Sequence, residues 1–553
     1  MATAGLDRET FDGIVESIKE FAGRRLGDPA LLRFDAQDEM PLELVRAMCG
    51  RELGLALLFV PDEFGGIGAG AMDVYRVCEL IAGIDLGIAT GVLATSLGSD
   101  PIRVGGTDEQ RKRWLGRIAS EGLLVAYAAT EPEAGSDLAA LRTMAVPVDA
   151  GYRINGRKQW ISNGGVADIY CVLALAPAGP SWFIVDKGTD GLRVGTREEK
   201  HGIRASNTAA VFFDDVVVNA DRLVGGVEGQ GLLQAQAVFG YTRLMVGAFG
   251  LGAGWSALDR AIAYSRERSV SGGPLADKQG YTHKLLVPHA IGLEAARAFV
   301  EETATRIDKG AGNLITEGAI AKLAATEAAN RAADAALQAL GGYGYVREYM
   351  VEKIRRDVRI TTIYEGTSEI MEMTIARDRW QAHLKTRGDH YHEQAHTLAQ
   401  LDRQQPECGA RIAALALDAL AEVLEHCRLQ HLTRSQHVLL RLGEIIAQVE
   451  CAASLVRRTA AAESNGLSPK ASHRFSPPQL AAMARVCARD AALQVCDVGV
   501  RWAGASAEAL KLSEVHAAQS GLIDDMDLVA DALYGRVSEP VAAPVPAMAG
   551  VGQ

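Results

Sequence analysis

The segment Ile363-Tyr364-Glu365-Gly366-Thr367-Ser368-Glu369-Ile370 places a carboxylate before a glycine and two hydroxyl residues. A carboxylate becomes a general base when it is held within hydrogen-bond reach of the proton it removes. The glycine lets the backbone approach a ligand closely, and the hydroxyls supply polar contacts. On its own such a glutamate is equally a loop carboxylate or a helix cap. A second candidate, His392-Glu393-Gln394-Ala395-His396, fits the zinc pattern HExxH, with His390 nearby. Two histidines four residues apart share a helix face, but no third ligand is evident. No metal is therefore expected, and the segment reads as a solvated, His-rich linker. Trp160-Ile161-Ser162-Asn163 sets an aromatic ring beside a hydroxyl, although Trp160 alone is as well a core residue. Gly65-Gly66-Ile67-Gly68-Ala69-Gly70 lacks the βαβ setting of a dinucleotide loop and reads as a turn between helices.

Apolar residues recur at helical spacing in Leu42 to Leu58 and Ala71 to Ile84, so residues 6 to 122 read as helical. Near Val125 the period changes. Asn155-Gly156 gives a hairpin signal, and Asp168 to Leu175, Trp182 to Val185 and Ala209 to Phe213 read as strands. Helical periodicity returns from Gln230, with no proline between Pro288 and Ala382, which is the pattern of a packed bundle. The remainder is mostly helical, broken at Gln404-Gln405-Pro406 and from Ser464 to Pro478, and Pro540 to Gln553 reads as a loose tail. The expected fold is thus α+β and multidomain: an N-terminal helical domain over 1–123, a middle β domain over 124–229, a C-terminal helical bundle over 230–383, and a helical extension over 384–553.

At 553 residues the chain exceeds what one core can organise. The net charge of -12 disfavours a nucleic-acid partner. Eight scattered cysteines without a CxxC pair read as reduced, buried thiols. Neither a secretory signal nor an apolar stretch of about 18 residues is visible, so a cytoplasmic protein without a membrane span is expected.

The ordered motifs resemble the acyl-CoA dehydrogenase family from roughly Phe11 to Ala382. Tyr127-Ala128-Ala129-Thr130-Glu131-Pro132-Glu133-Ala134-Gly135-Ser136-Asp137 is similar to its first flavin and substrate motif, and Trp160-Ile161-Ser162-Asn163 to its second. His201 to Ser206 and Phe213 to Val216 resemble the end of its β domain, and Gln338-Ala339-Leu340-Gly341-Gly342-Tyr343-Gly344 its adenine-side loop. The resemblance implies a middle domain of β-barrel type and FAD lying between that domain and the bundle. Tyr127, Ala129 and Thr130 would line the isoalloxazine, with Trp160, Ile161 and Ser162 at its reactive edge and Thr367 and Glu369 beside it. Arg268, Gln279, Gln338, Gly341 and Gly342 would reach the FAD of a neighbouring subunit, which implies a homo-oligomer. Ser136, Arg243 and Gly366 would contact the acyl-CoA.

Glu365 would then take the α-proton of the thioester while the β-hydride leaves for flavin N5, giving a trans-2-enoyl-CoA of fatty acid metabolism. A backbone N–H at the base and a flavin hydroxyl would stabilise the thioester oxygen, and burial would raise the pKa of Glu365 toward neutrality. An electron-transfer flavoprotein is the expected electron acceptor. Relatives that carry the base elsewhere do so at the position of Thr242. Three residues depart from the family pattern: Gly240 stands for an Asp, Ser271 for a Phe, and Glu133 for a small residue.

The extension resembles, in length and position only, the extra domain of very-long-chain acyl-CoA dehydrogenases, which favours a dimer. With 16 Lys and Arg against 19 Asp and Glu over 384–553, it does not suit DNA, and its charge lends no support to a membrane surface. The alternatives are a flavin oxidase or monooxygenase on the same fold, or a non-enzymatic protein that retains flavin.

Overall fold

The computed structural model describes residues 5–312 and 314–536. The tail expected from Pro540 lies outside the described residues. Helices Arg8–Arg25, Asp28–Ala36, Leu42–Cys49, Ala71–Ile84, Leu86–Gly105 and Asp108–Glu121 form the N-terminal part. Their starts follow from local chemistry. Asp7 accepts from the Thr10 N–H at 2.8 Å, and Thr107 and Gln110 make a reciprocal capping box. Helix Leu86–Gly105 is buried on nearly every side, as its many Gly, Ala, Ser and Thr residues allow.

Seven strands follow, in one sheet. Val125–Ala128 pairs in parallel with Ile169–Ala176, which also pairs antiparallel with Gly179–Asp186. Met144–Val148 pairs with Gly151–Ser162, and that strand pairs with Thr208–Asn219, which carries Leu192–Arg197 at the far side. The expected turn at Asn155-Gly156 is corrected by this pairing. Those residues lie inside strand Gly151–Ser162, at a bulge, and the tight turn falls between Val148 and Gly151. The Asn155 amide donates to Asp215 at 2.9 Å and its oxygen accepts the Asp215 N–H at 2.8 Å. The Asn-Gly signal thus marks an irregularity in a ladder.

Helices Gly231–Glu267, Val287–Asp308, Ile315–Leu340, Met350–Val358 and Ser368–Lys385 build the bundle. Gly231–Glu267 and Ile315–Leu340 cross in direct backbone contact. A Cβ on Gly318 would lie 2.5 Å from the Gly240 carbonyl oxygen and 2.8 Å from its Cα. Gly240, the departure noted above, therefore sits where the crossing leaves little room for a side chain.

A buried cation joins all three parts. Lys353 pairs with Asp85, the N-cap of helix Leu86–Gly105, and with Asp357 at 2.5 Å, while Asp357 accepts, at 2.6 Å, the Ile203 N–H of the loop between strands Leu192–Arg197 and Thr208–Asn219. Beyond the bundle, helices Asp389–Gln404, Ala410–Leu429, Gln436–Glu463, Pro477–Val498 and Leu522–Tyr534 form the extension. It packs onto the bundle through Arg379 to Glu450 at 2.6 Å and the buried pair of Arg458 with Glu301.

The HExxH segment is not a linker. It lies within helix Asp389–Gln404, whose Tyr391, Ala395 and Leu398 are buried, an apolar stripe that the histidine-rich composition hides. His392 Nδ1 faces Asp418 at 2.9 Å, and His396 meets Gln400. Among the described residues no group of three His, Cys, Asp or Glu could hold a metal ion, and no helix is long and apolar enough to cross a membrane. All eight cysteines are free thiols.

Candidate active site

Glu365 sits in a tight turn between the 3-10 turn Arg359–Thr362 and helix Ser368–Lys385, which Thr367 caps. Its φ of 55° is left-handed, which costs a non-glycine residue about 1–3 kcal/mol and persists only where the surroundings enforce it. Three contacts do so. Thr242 Oγ1 donates to the Glu365 carboxylate at 3.2 Å, Lys322 Nζ donates to the Gly366 carbonyl at 2.7 Å, and Ser368 Oγ donates to Glu327 at 2.7 Å. Gly366 has φ 96°, a conformation that side chains rarely adopt, so glycine is favoured after the glutamate.

Burial raises the pKa of Glu365 above the usual carboxylate range, the direction expected from sequence. The positive charge of Arg243 and the Thr242 hydrogen bond oppose that rise, Asp100 adds to it, and Lys322 weakens it. Tyr127, on the sheet side, lies within range of the Glu365 charge. Its phenol is pushed well above the ordinary value by burial and then by the charge of Glu365. A carboxylate of the bundle and an aromatic ring of the sheet are thus near enough to interact.

Arg243 is 7% exposed, and its Nε and Nη1 are buried without a hydrogen-bond partner. Its guanidinium lies 4.8 Å from the Phe239 ring centroid. Burial lowers its pKa, with the Glu365 charge acting against that. A buried cation with unused donors suits an anionic or polar ligand.

Tyr127 lies on strand Val125–Ala128 with its ring 4.7 Å from that of Trp182, whose Nε1 donates to the Gly231 carbonyl at 2.9 Å. Ala129 is buried, and the Thr130 carbonyl accepts the Gln159 N–H at 3.0 Å. Trp160 is not a core residue: it is 58% exposed with φ 56°, where the ladder slips between Lys158 and Ile161. Ile161 is buried, and Ser162 ends the strand opposite Thr208. Ser136 is exposed, as is Glu369 in the first turn after Thr367.

The remaining residues form a second group. Arg268 caps helix Gly231–Glu267, and Gln279 opens helix Gln279–Leu285. Tyr281 donates to the Ala339 carbonyl at 3.2 Å, which sets this stretch beside Gln338, Gly341 and Gly342. Gly341 and Gly342 have open space where a Cβ would stand. The Gln279 amide donates to Asp527 of the extension at 3.0 Å, a contact the sequence did not foretell. A cleft of about 770 Å³ adjoins the group, lined by Leu337, Arg347, Arg355, Arg356 and Arg359 among others.

Sequence reasoning passed over two lysines. Lys322 is fully buried on helix Ile315–Leu340, and its only signal is a charge amid Ala, Ile and Leu. Lys158 is also fully buried; it donates to the Ala129 carbonyl at 2.9 Å and to Glu131 at 2.7 Å. Glu131 also accepts the N–H groups of Arg142 and Thr143. Burial pushes its pKa up, but Lys158 and these donors outweigh that and hold it below the usual range.

Comparison with known proteins agrees with this arrangement. The N-terminal, middle and C-terminal domain models of acyl-CoA dehydrogenases match residues 8–122, 126–216 and 229–379. An acyl-CoA dehydrogenase of Bacillus subtilis is 39% identical over 368 residues, 65% of this chain and 95% of that protein. The butyryl-CoA dehydrogenase structure of Megasphaera elsdenii superposes with a TM-score of 0.64 at 32% identity, over 68% of this chain and 98% of its own. An acyl-CoA dehydrogenase of Bacillus anthracis, solved with FAD, shares the fold over 96% of this chain and 95% of its own, with a TM-score of 0.81 at 24% identity. Its coverage takes in the extension as well. On these grounds the chain belongs to the acyl-CoA dehydrogenases, a family of FAD-dependent oxidoreductases.

Proposed function

We propose that the protein oxidises the α,β bond of an acyl-CoA thioester to a trans-2-enoyl-CoA, with Glu365 as the base. The observation that carries this reading is a carboxylate raised in pKa by burial, fixed in a strained turn that Thr242 and Lys322 support, and near enough to Tyr127 of the sheet for its charge to act on the phenol. A base of raised pKa removes a weakly acidic proton more effectively than an ordinary carboxylate does. Bound FAD supplies the acceptor for the β-hydride. Everything else falls to the chain. Glu365 takes the α-proton, its backbone N–H donates to the thioester oxygen, and Arg243 and Ser136 hold the CoA portion.

The residues present fit a flavin. Trp160 offers an exposed indole at a bulge, beside Tyr127, Ala129 and Thr130, with Ile161, Ser162, Thr367 and Glu369 completing the surround and Gly366 giving the substrate room. Arg268, Gln279, Gln338, Gly341 and Gly342 would serve the FAD of a second subunit. The open backbone at Gly341 and Gly342 suits close approach of a ligand. A homodimer that passes electrons to an electron-transfer flavoprotein is the assembly this reading implies.

The test is anaerobic reduction of the bound flavin by a panel of acyl-CoAs. Glu365→Gln is expected to keep FAD and to lose at least about three orders of magnitude in reduction rate. Near-normal reduction by that variant would end the assignment.

A further inference from the structure

Lys322 is 0% exposed, and its ammonium has no carboxylate ion-pair partner among the described residues. Its ammonium is spent on one carbonyl, that of Gly366, at 2.7 Å. Placing a charge in the interior is unfavourable, and an apolar side chain of similar length would fill this position without that cost. The lysine is therefore hard to explain by packing alone, and what it touches is the carbonyl one residue past the proposed base. That carbonyl belongs to the peptide joining Gly366 to Thr367 and closes a turn of two consecutive left-handed residues, Glu365 and Gly366, so holding it restrains the turn that carries the Glu365 side chain.

We infer that Lys322 is a positioning residue for Glu365: its ammonium pins the Gly366 carbonyl from behind the turn and supplies positive charge that stabilises the carboxylate. This rests on Glu365 being the base. The groups that act on Glu365 are Arg243 and Thr242 on helix Gly231–Glu267, Asp100 on helix Leu86–Gly105, and Lys322 itself. Tyr127 of the sheet lies within range of its charge. Around Lys322 the charges of Glu327, Glu365 and Glu369 attract it and that of Arg243 repels it, while burial pulls its pKa down to about 8. Lys322 and Arg243 both act against the rise that burial and Asp100 impose on Glu365, and burial still prevails.

The experiment compares Lys322→Met, Lys322→Gln and Lys322→Arg as FAD holoenzymes, with Glu365→Gln in parallel. One readout is the pH dependence of flavin reduction. The other, free of turnover, is an infrared titration of the Glu365 carboxyl band, with the spectrum of Glu365→Gln subtracted. Both neutral variants are expected to retain FAD and to move the Glu365 titration and the acid limb of the rate about one to two units to higher pH. Lys322→Arg is expected to stay near wild type. Unmoved titration and rate in the neutral variants would overturn the inference. So would failure of both neutral variants to fold while Lys322→Arg folds, since the lysine would then be a fold determinant. Near-normal reduction by Glu365→Gln would instead overturn the base assignment on which the inference rests, whatever the lysine variants do.

Discussion

The Thr242 hydroxyl donates a hydrogen bond to the Glu365 carboxylate over 3.2 Å. Thr242, 123 residues earlier in the chain, thus supplies a side-chain donor to the carboxylate proposed above as the base. A donor to a carboxylate favours its ionised form.

Thr242→Val removes that donor and keeps the side-chain shape. The pKa of Glu365, already raised by burial, is expected to rise by about one further unit. The acid limb of the flavin-reduction profile, followed by rapid mixing without oxygen, should move to higher pH by the same amount. A profile superimposable on wild type would show that the hydroxyl has no electrostatic role.

Glu365 also links function to stability. Its folded pKa lies above the reference 4.5, so the folded state holds the proton more tightly than the unfolded chain does. That contribution is fully present below the unfolded pKa and is lost as pH rises through the folded value. Glu365→Gln cannot ionise. Its melting temperature should exceed that of wild type at neutral pH and converge with it in acid, and an equal gap at both would contradict the burial argument.

Lys353 lies between Asp85 and Asp357 with all three side chains almost fully buried. Burial raises the Asp357 pKa despite the lysine, so the site tolerates no further loss of positive charge. Lys353→Met leaves two carboxylates facing each other and is expected to cost about 3–5 kcal/mol in denaturant unfolding. A cost below about 1 kcal/mol, the range of exposed pairs, would show that the junction is held by other contacts.

Glu131 and Lys158 hold the Ala129–Thr130 stretch against strand Gly151–Ser162. Glu131→Gln weakens the pairing of a buried ammonium and should lower both thermal stability and the flavin retained on desalting. Adding Lys158→Met removes the unpaired charge and should recover part of the stability, because replacing both members of a buried pair costs less than breaking it. A double variant no better than the single would place the effect elsewhere.

The extension is tied to the bundle by Glu450, which accepts from Arg379 at 2.6 and 2.8 Å and from the Tyr391 hydroxyl at 2.7 Å. Burial pushes its pKa up, but these partners outweigh that and hold it below the usual range. Glu450→Gln is expected to destabilise the whole protein by about 3–5 kcal/mol while leaving one calorimetric transition. Two separated transitions would show that the extension unfolds independently.

Much of the architecture follows from local pattern. The apolar period marks helices before Glu121 and after Gly231 and changes between them, and residues 363 to 370 point to a carboxylate chemistry only together with the ordered motifs that precede them. Local pattern also misled. Asn155-Gly156 carries a turn signal, but long-range pairing with Thr208–Asn219 keeps it inside a strand. The histidines of the HExxH segment obscured the apolar stripe that packs their helix.

Tertiary structure alone decided what surrounds the carboxylate. Thr242 and Lys322 are 123 and 44 residues from the groups they bond, and no periodicity within one segment encodes such a meeting. The exposure of Trp160 depends on a slip between two strands, and the engagement of Gln279 by Asp527 spans 248 residues. Residue type sets which chemistry a side chain can perform. Its pKa, partners and access to solvent are properties of the neighbourhood that folding assembles.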